Sequence, residues 1–188
     1  MQTQGNVLAH ALRYAERIRI GPSDRVPLLA RYTFDAAVMD LFGALLVGAT
    51  LHLLDPYGPD AADLASALAE IGPAIVHSTP TVFRHLLGLF DRGGGYTPPL
   101  PSVRVVVLGG EEVRADHLAG FFRHFTAQAT HVNGYGPTEC TLALQHVATR
   151  SDLDRRSVPI GHAVEGVAIG LVDADGNEVE RFGELVLR

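Results

Sequence analysis

Lysine is absent: all fifteen basic residues of this 188-residue chain are arginine. Within the chain that excludes Schiff-base and other lysine-based chemistry, and the lysine-bearing Walker A phosphate loop. Tryptophan is missing as well, and cysteine occurs once, as Cys140, so there is no intrachain disulfide and no sign of an oxidising compartment. A positive charge excess is also lacking. Twenty-one acidic against fifteen basic residues give a formal charge of −6, which argues against a nucleic-acid or anionic-membrane partner. No apolar run reaches the roughly 20 residues of a membrane span. The most apolar stretch, residues 42–54, is broken by Gly43, Gly48 and His52. The first residues have neither the basic nor the apolar region of a secretory signal, so a cytoplasmic location is expected.

What is present is the make-up of a folded domain. Hydrophobic residues are 47% and charged residues 19% of the chain, outside the range of disordered sequences. A chain of this length buries about 70% of its unfolded surface and needs no metal or disulfide staple. Helical and strand patterns alternate, the signature of an α/β fold. The expected architecture is a doubly wound, mainly parallel sheet flanked by helices, followed by a short β-rich segment. Helices are expected over residues 6–18, 36–47, 61–71, 80–89 and 113–125, and strands over 26–30, 50–54, 74–78, 103–108 and 129–133. Asp35, Asp60 and Thr79 are expected to cap the helices that follow them, Pro80 to occupy the first helical position, and Gly48 and Gly72 to end theirs. Phe34 and Met39 have the spacing of a hydrophobic staple. Residues 91–101, rich in glycine and proline, read as an exposed connection. From residue 134 the texture becomes loops and strands, with strands expected over 167–173 and 183–187, joined through a turn at Asp175-Gly-Asn.

In doubly wound sheets ligands gather at the carboxyl ends of strands, beside the loops that lead into helices. Three segments have that placement: Asp35, the run Gly109-Gly-Glu111, and the run Asn133-Gly-Tyr-Gly-Pro-Thr-Glu139. Glycine lets backbone approach a planar or phosphorylated ligand. An exposed tyrosine between glycines can stack on a base, and Thr-Glu can meet a phosphate and its metal ion. Taken singly, each glycine segment also reads as a plain turn.

Taken together they carry a resemblance. The run Phe34-Asp-Ala-Ala-Val-Met-Asp-Leu-Phe-Gly-Ala-Leu-Leu-Val-Gly-Ala-Thr-Leu51 resembles a core motif of nonribosomal peptide synthetase adenylation domains. Val107-Leu-Gly-Gly-Glu-Glu-Val113, the Asn133–Glu139 run and Gly183-Glu-Leu185 follow in that family's order and spacing, so the likeness covers essentially the whole chain. It implies a flavodoxin-like α/β core over residues 1–150 and, over 151–188, the start of a β-rich, barrel-like subdomain. It also implies activation of an amino acid with ATP and Mg2+ to an aminoacyl-AMP, then loading onto the phosphopantetheine thiol of a peptidyl carrier domain.

Residue by residue, the resemblance implies that Tyr135 stacks on adenine, that Asn133 bonds its amino edge, and that Gly110 approaches the base. Thr138 would touch phosphate and Glu139 would hold the magnesium ion. Asp35 would pair with the substrate's α-ammonium group. Ala36, Met39, His77, Val107, Gly109, Gly134, Leu142 and Ala143 would line the side-chain pocket. The small residues Gly109, Gly134 and Ala143 suggest a deep pocket for a bulky side chain, with His77 as its one polar contact. Asp35 and Met39 also have plain structural readings as cap and staple.

The chain departs from the family in places. The family's lysine-containing phosphate loop, its ribose-binding aspartate and its C-terminal subdomain with a catalytic lysine are not in the sequence. The expectation is that these 188 residues are a core piece and are inactive alone. Cys140 stands where Thr or Ser is commoner. An aryl-acid or fatty-acyl ligase of the same superfamily competes, but Asp35 would then face no ammonium group. A non-catalytic module of the same fold leaves Tyr135, Thr138 and Glu139 without a role.

Three weaker patterns have plainer structural readings. His117, His124 and His131 recur every seven residues, but two helical residues so spaced lie about 10.5 Å apart along the axis, too far to share an ion. Asp173, Asp175, Asn177 and Glu184 mimic a calcium loop that lacks its glycine, and a β-turn is expected. Gly93-Gly-Gly95 leads into Tyr-Thr-Pro-Pro, which is slack and no phosphate cradle.

Overall fold

The computed structural model describes residues 3–58, 63–92 and 99–188. Five helices and nine strands follow in the order α1 (Gln4–Arg17), β1 (Arg25–Leu28), α2 (Ala36–Leu45), β2 (Thr50–Leu53), α3 (Leu64–Ile71), β3 (Ile75–Ser78), α4 (Pro80–Arg92), β4 (Val105–Gly109), α5 (Ala115–His124), β5 (Thr130–Tyr135), β6 (Leu144–Ala148), β7 (His162–Ala163), β8 (Ile169–Val172) and β9 (Glu184–Leu187) among the described residues. The alternation expected from the sequence is therefore present. None of these helices is long and apolar enough to cross a membrane.

β1 and β2 pair in parallel, as do β3 with β4 and β4 with β5, whereas β5, β6 and β7 pair antiparallel. The two parallel groups meet where the amide of Ala74 donates to the carbonyl of Arg25 (3.1 Å), which puts β1 beside β3. The order across the layer is then β2-β1-β3-β4-β5-β6-β7, a doubly wound arrangement whose direction reverses between β1 and β3. Such a reversal opens a crevice at the carboxyl ends of its two strands. β8 and β9 form a separate antiparallel hairpin, with Asp173 accepting from the amides of Asp175 (3.0 Å) and Asn177 (2.9 Å) in the expected turn.

Two apolar clusters hold the layer. One packs Leu86, Phe83, Leu118 and Phe121 of α4 and α5 against Val76, Val106 and Leu108. The other packs Tyr14 of α1, Ile18 just after it and Met39 of α2 against the opposite face, at Ile75, Val107 and Val132. β3 and β4 are buried on both sides, as their continuous apolar runs require. At the far edge from the cleft, Arg104 grips both carboxylate oxygens of Asp24 (3.0 and 2.7 Å), tying the start of β4 to the turn before β1.

Local details correct several expectations. Helix α4 runs on through Asp91 and Arg92, where a loop was expected. Asp91 accepts from Arg123 and contacts His124 of α5 (both 2.9 Å), and this holds the last turn in place. Helix α5 begins at Ala115 because Val113 and Arg114 are spent on the segment that returns at Ser157 and Val158. Phe34 is 62% exposed, so the staple with Met39 buries little. Asp35 has helical backbone angles and bonds only the adjacent amide of Ala36 (2.9 Å), a partial cap. Thr79 caps α4 as expected, and Gly72 ends α3 with φ +59°. The cap expected at Asp60 and the run Gly93-Gly-Gly95 lie outside the described residues.

Candidate functional site

The crevice between β1 and β3 opens into a cleft of about 710 Å³. Its walls come from the segments that leave the carboxyl ends of the strands: residues 29–31 after β1, the entrance of α2, the β3–α4 junction, the end of β4, and the loop that joins β5 to β6. The chain turns sharply at these points because glycine permits it. Gly110 has φ +81°, a conformation other residues rarely adopt.

Of the residues singled out in the sequence, Asp35, Ala36, Met39, His77, Val107, Gly109, Gly110, Gly134, Thr138 and Leu142 line this one cleft. They come from positions more than a hundred residues apart, and only the sheet's winding unites them. Asn133, Tyr135, Glu139 and Ala143 are not on its lining. Asn133 is buried, and its side-chain amide donates to the carbonyls of Val158 (3.1 Å) and Pro159 (2.9 Å). Tyr135 is 41% exposed at the end of β5. Ala143 is fully buried, its amide bonded to the carbonyl of Tyr135 (2.8 Å). Glu139 lines a second cavity, on the α1 side of the loop.

The fit of a nucleotide and that of a metal ion differ. Glycine backbone at Gly109 and Gly110, the hydroxyl of Thr138 and the nearby exposed ring of Tyr135 suit a nucleotide. Magnesium finds less: the described residues hold no cluster of three His, Cys, Asp or Glu side chains, and Glu139 does not reach the cleft.

The pocket end of the cleft is mostly apolar, lined by Met39, Val107 and Leu142. Counting small residues overstates its depth. A Cβ on Gly134 would meet Cδ1 of Leu142 at 2.5 Å, so leucine already fills that space. A Cβ on Gly109 would lie 3.0 Å from the Gly134 carbonyl, so this glycine serves the close approach of β4 and β5. Gly136 is under the same constraint, since a Cβ there would lie 2.0 Å from the carbonyl oxygen of Thr141. Gly136→Ala must therefore displace the loop that carries Thr138. The expected cost is about 1–3 kcal/mol, read as a lower urea midpoint, together with weaker nucleotide binding.

Asp35 stands half-buried at the first turn of α2. One oxygen takes the Ala36 amide, and the other has no hydrogen-bond partner among the described residues. His77 is 4% exposed, and its Nδ1 lies 3.0 and 3.1 Å from the two oxygens of Asp40, itself wholly buried. Burial acts to lower the His77 pKa, but Asp40 outweighs it and the net shift is upward. Asp40 is raised by burial, against the pull of His77 and Tyr14. Sequence reasoning missed Asp40 and Tyr14 as part of the site. Asp40 lies within the motif that begins at Phe34, but nothing local tells which buried partner it meets.

The three recurring histidines part company. His117 accepts from the amide of Arg114 (3.1 Å) at the start of α5, His124 meets Asp91, and His131 is fully buried beside Phe121.

The AMP-binding enzyme family matches this chain over residues 1–188. A linear gramicidin synthase polypeptide of Brevibacillus parabrevis is 35% identical over 146 residues, covering 75% of this chain and 2% of that protein. The L-proline--[L-prolyl-carrier protein] ligase of Streptomyces coelicolor is 29% identical over 189 residues, covering 98% of this chain and 35% of that one. Among solved structures, the Vibrio cholerae adenylation domain AlmE, in complex with glycyl-adenosine-5'-phosphate, superposes with a TM-score of 0.81 at 26% identity. That match covers 97% of this chain and 35% of AlmE. Holo-PA1221, a protein containing adenylation and PCP domains, gives a TM-score of 0.74 at 32% identity, over 89% of this chain and 29% of that one. The chain spans about a third or less of each of these relatives.

Proposed function

Because this chain belongs to the AMP-binding enzyme family, in the branch of nonribosomal peptide synthetase adenylation domains, we propose that its cleft selects an amino acid and holds it beside ATP for conversion to an aminoacyl-AMP. The observation that carries the reading is Asp35. Its unpartnered carboxylate oxygen stands on the rim of a largely apolar pocket, where an α-ammonium group is the partner its charge requires. The complex of AlmE with glycyl-adenosine-5'-phosphate supports the same pairing of aminoacyl and nucleotide ends in one cleft.

In this reading Met39, Val107 and Leu142 enclose the side chain, while Gly109 and Gly110 let the base come close to backbone. Tyr135 offers a ring to stack on and Thr138 a hydroxyl for phosphate. Asn133 keeps its side-chain oxygen for the base, since its amide hydrogens are spent on carbonyls. Charge developing on the phosphates normally meets cations. With no lysine in the chain, and Arg31 the one arginine among the described lining residues, selection of the substrate is this chain's part of the work. A carrier domain that accepts the acyl group on its phosphopantetheine thiol completes the proposal, in keeping with the adenylation–PCP architecture of PA1221.

The test uses aminoacyl-sulfamoyl adenosines, non-hydrolysable counterparts of aminoacyl adenylates, titrated calorimetrically into the protein. At least one should bind, and its des-amino acyl counterpart should bind at least about thirtyfold more weakly, the low end of losing one partner of a partly desolvated ion pair. Equal affinity for the two would remove the role assigned to Asp35.

A further inference from the structure

Within the pocket proposed above, the pair Asp40–His77 has no role yet. Asp40 is fully buried on α2 and does not touch the cleft; His77, on β3, does. Both oxygens of Asp40 converge on Nδ1 of His77, the arrangement in which an ionised Asp40 accepts from a protonated Nδ1. A buried carboxylate is costly unless a cation answers it. Among the described residues, no arginine lies within ion-pair distance of Asp40, and His77 is its one ion-pair partner. An imidazolium, with its second proton on Nε2, would answer that charge. That nitrogen has no hydrogen-bond partner among the described residues, on a side chain that lines the cleft.

We infer that Asp40 and His77 act as one unit that presents an Nε2–H donor to the apolar pocket, so that the site takes an amino acid whose side chain carries a neutral oxygen acceptor, a hydroxyl or a carboxamide. The inference rests on the reading of the cleft as an aminoacyl site, and it assigns Asp40 as a positioning residue. The charges close in pairs: Asp35 with the substrate ammonium, Asp40 with the imidazolium. A carboxylate side chain would bring a second negative charge to a cation that Asp40 already neutralises, and an amine-terminated side chain would face the imidazolium. A hydrocarbon would cover the donor and leave it unsatisfied.

The packing around the pair keeps the ring in one orientation. Tyr14 of α1 lies with its ring 6.0 Å from that of His77, tilted by 50°. It fits there because position 43 is glycine, where a Cβ would come within 3.2 Å of the tyrosine ring. The ionisable groups that act on the imidazole are Asp40 and Asp35 of α2, and both raise its pKa. Tyr14 is itself raised well above its ordinary value by burial and by Asp40, so it stays neutral beside the pair.

Two measurements on the full chain test this. In 15N-resolved imidazole NMR at pH 7, His77 should show both nitrogens protonated, and Asp40→Asn should return the ring to a neutral form. Sulfamoyl adenosines are then compared in near-isosteric pairs: leucine with asparagine, norleucine with glutamine, phenylalanine with tyrosine. In at least one pair the oxygen-bearing member should bind at least tenfold more tightly. Asp40→Asn should shrink that ratio to about threefold or less. His77→Gln, which keeps an N–H without the charge, should retain the preference, and His77→Leu should reverse it. If Asp40→Asn proves too unstable, the two His77 variants carry the test alone. A neutral His77 in the unaltered protein, or a preference for the apolar member in every pair, would overturn the proposal. If no probe binds while the imidazolium signature persists, the aminoacyl reading itself fails and takes the proposal with it.

Discussion

Asp35→Asn should reduce the protein's preference for an α-amino group by about thirtyfold or more while leaving the fold nearly untouched. The numerator of that ratio is the affinity for an aminoacyl-sulfamoyl adenosine, the denominator that for its des-amino counterpart. Removing one partner of a desolvated, hydrogen-bonded charge pair costs about 2–5 kcal/mol, and the half-buried position of Asp35 places it toward the low end. Asparagine keeps an oxygen for the Ala36 amide and serves about as well as aspartate at helix starts. The melting temperature should therefore move by no more than about 2 °C. A large melting shift with an unchanged affinity ratio would reduce Asp35 to a structural residue.

The second large effect is loss of stability in mild acid, centred on His131. This side chain is fully buried, and neither ring nitrogen meets a hydrogen-bond partner among the described residues. Burial, reinforced by His117 and His146, lowers its pKa from 6.5 to about 4. The folded state thus refuses a proton that the unfolded state accepts. The contribution is complete above pH 6.5 and is lost as the pH falls toward 4, amounting to about 3 kcal/mol. His10 and His117 are also lowered, mainly by burial, and add in the same direction. His77 is raised and works the opposite way, so the wild-type profile alone does not isolate His131. His131→Leu does. Urea unfolding at pH 7.5 and 4.5 should give the variant near-equal stability to wild type at the higher pH, because an unpartnered imidazole gives way to an apolar side chain of similar size. At the lower pH the variant should be the more stable by about 2–3 kcal/mol. Parallel profiles for the two proteins would show that His131 titrates normally.

Much of the fold could be read from local pattern, because local pattern is what builds it. The apolar runs of β3 and β4, the cap at Thr79 and the stop at Gly72 each depend on neighbours a few residues away. The helix end at Arg92 was hidden because its support comes from α5, more than thirty residues later, through Asp91. The site divides along the same line. Residues that a motif places on the cleft could be named in advance: Asp35, Gly110 and Thr138 all reach it. Space could not be counted from composition, since the room that Gly134 leaves is taken by Leu142. Nor could the partners of Asp40 be inferred, because His77 lies thirty-seven residues away on the next layer. Nor could the tie made by Asn133 be inferred, because the carbonyls that take its side-chain amide, at Val158 and Pro159, lie twenty-five residues or more along the chain.

That tie has a mechanical consequence. β5 is bonded to β4 on one side and to β6 on the other, and Asn133 straps it to the chain at Val158 and Pro159. The opposite lip, at residues 31–35, presents Tyr32 and Phe34 to solvent at 84% and 62% exposure, and is held by local backbone hydrogen bonds and by the Arg31 guanidinium 5.7 Å from the ring centre of Tyr57. Segments with few buried contacts open at the lowest free-energy cost. The two lips of the cleft are thus held unequally. Under the proposed reading, a bulky side chain in the cleft would meet less resistance at residues 31–35 than at the strapped face of β5.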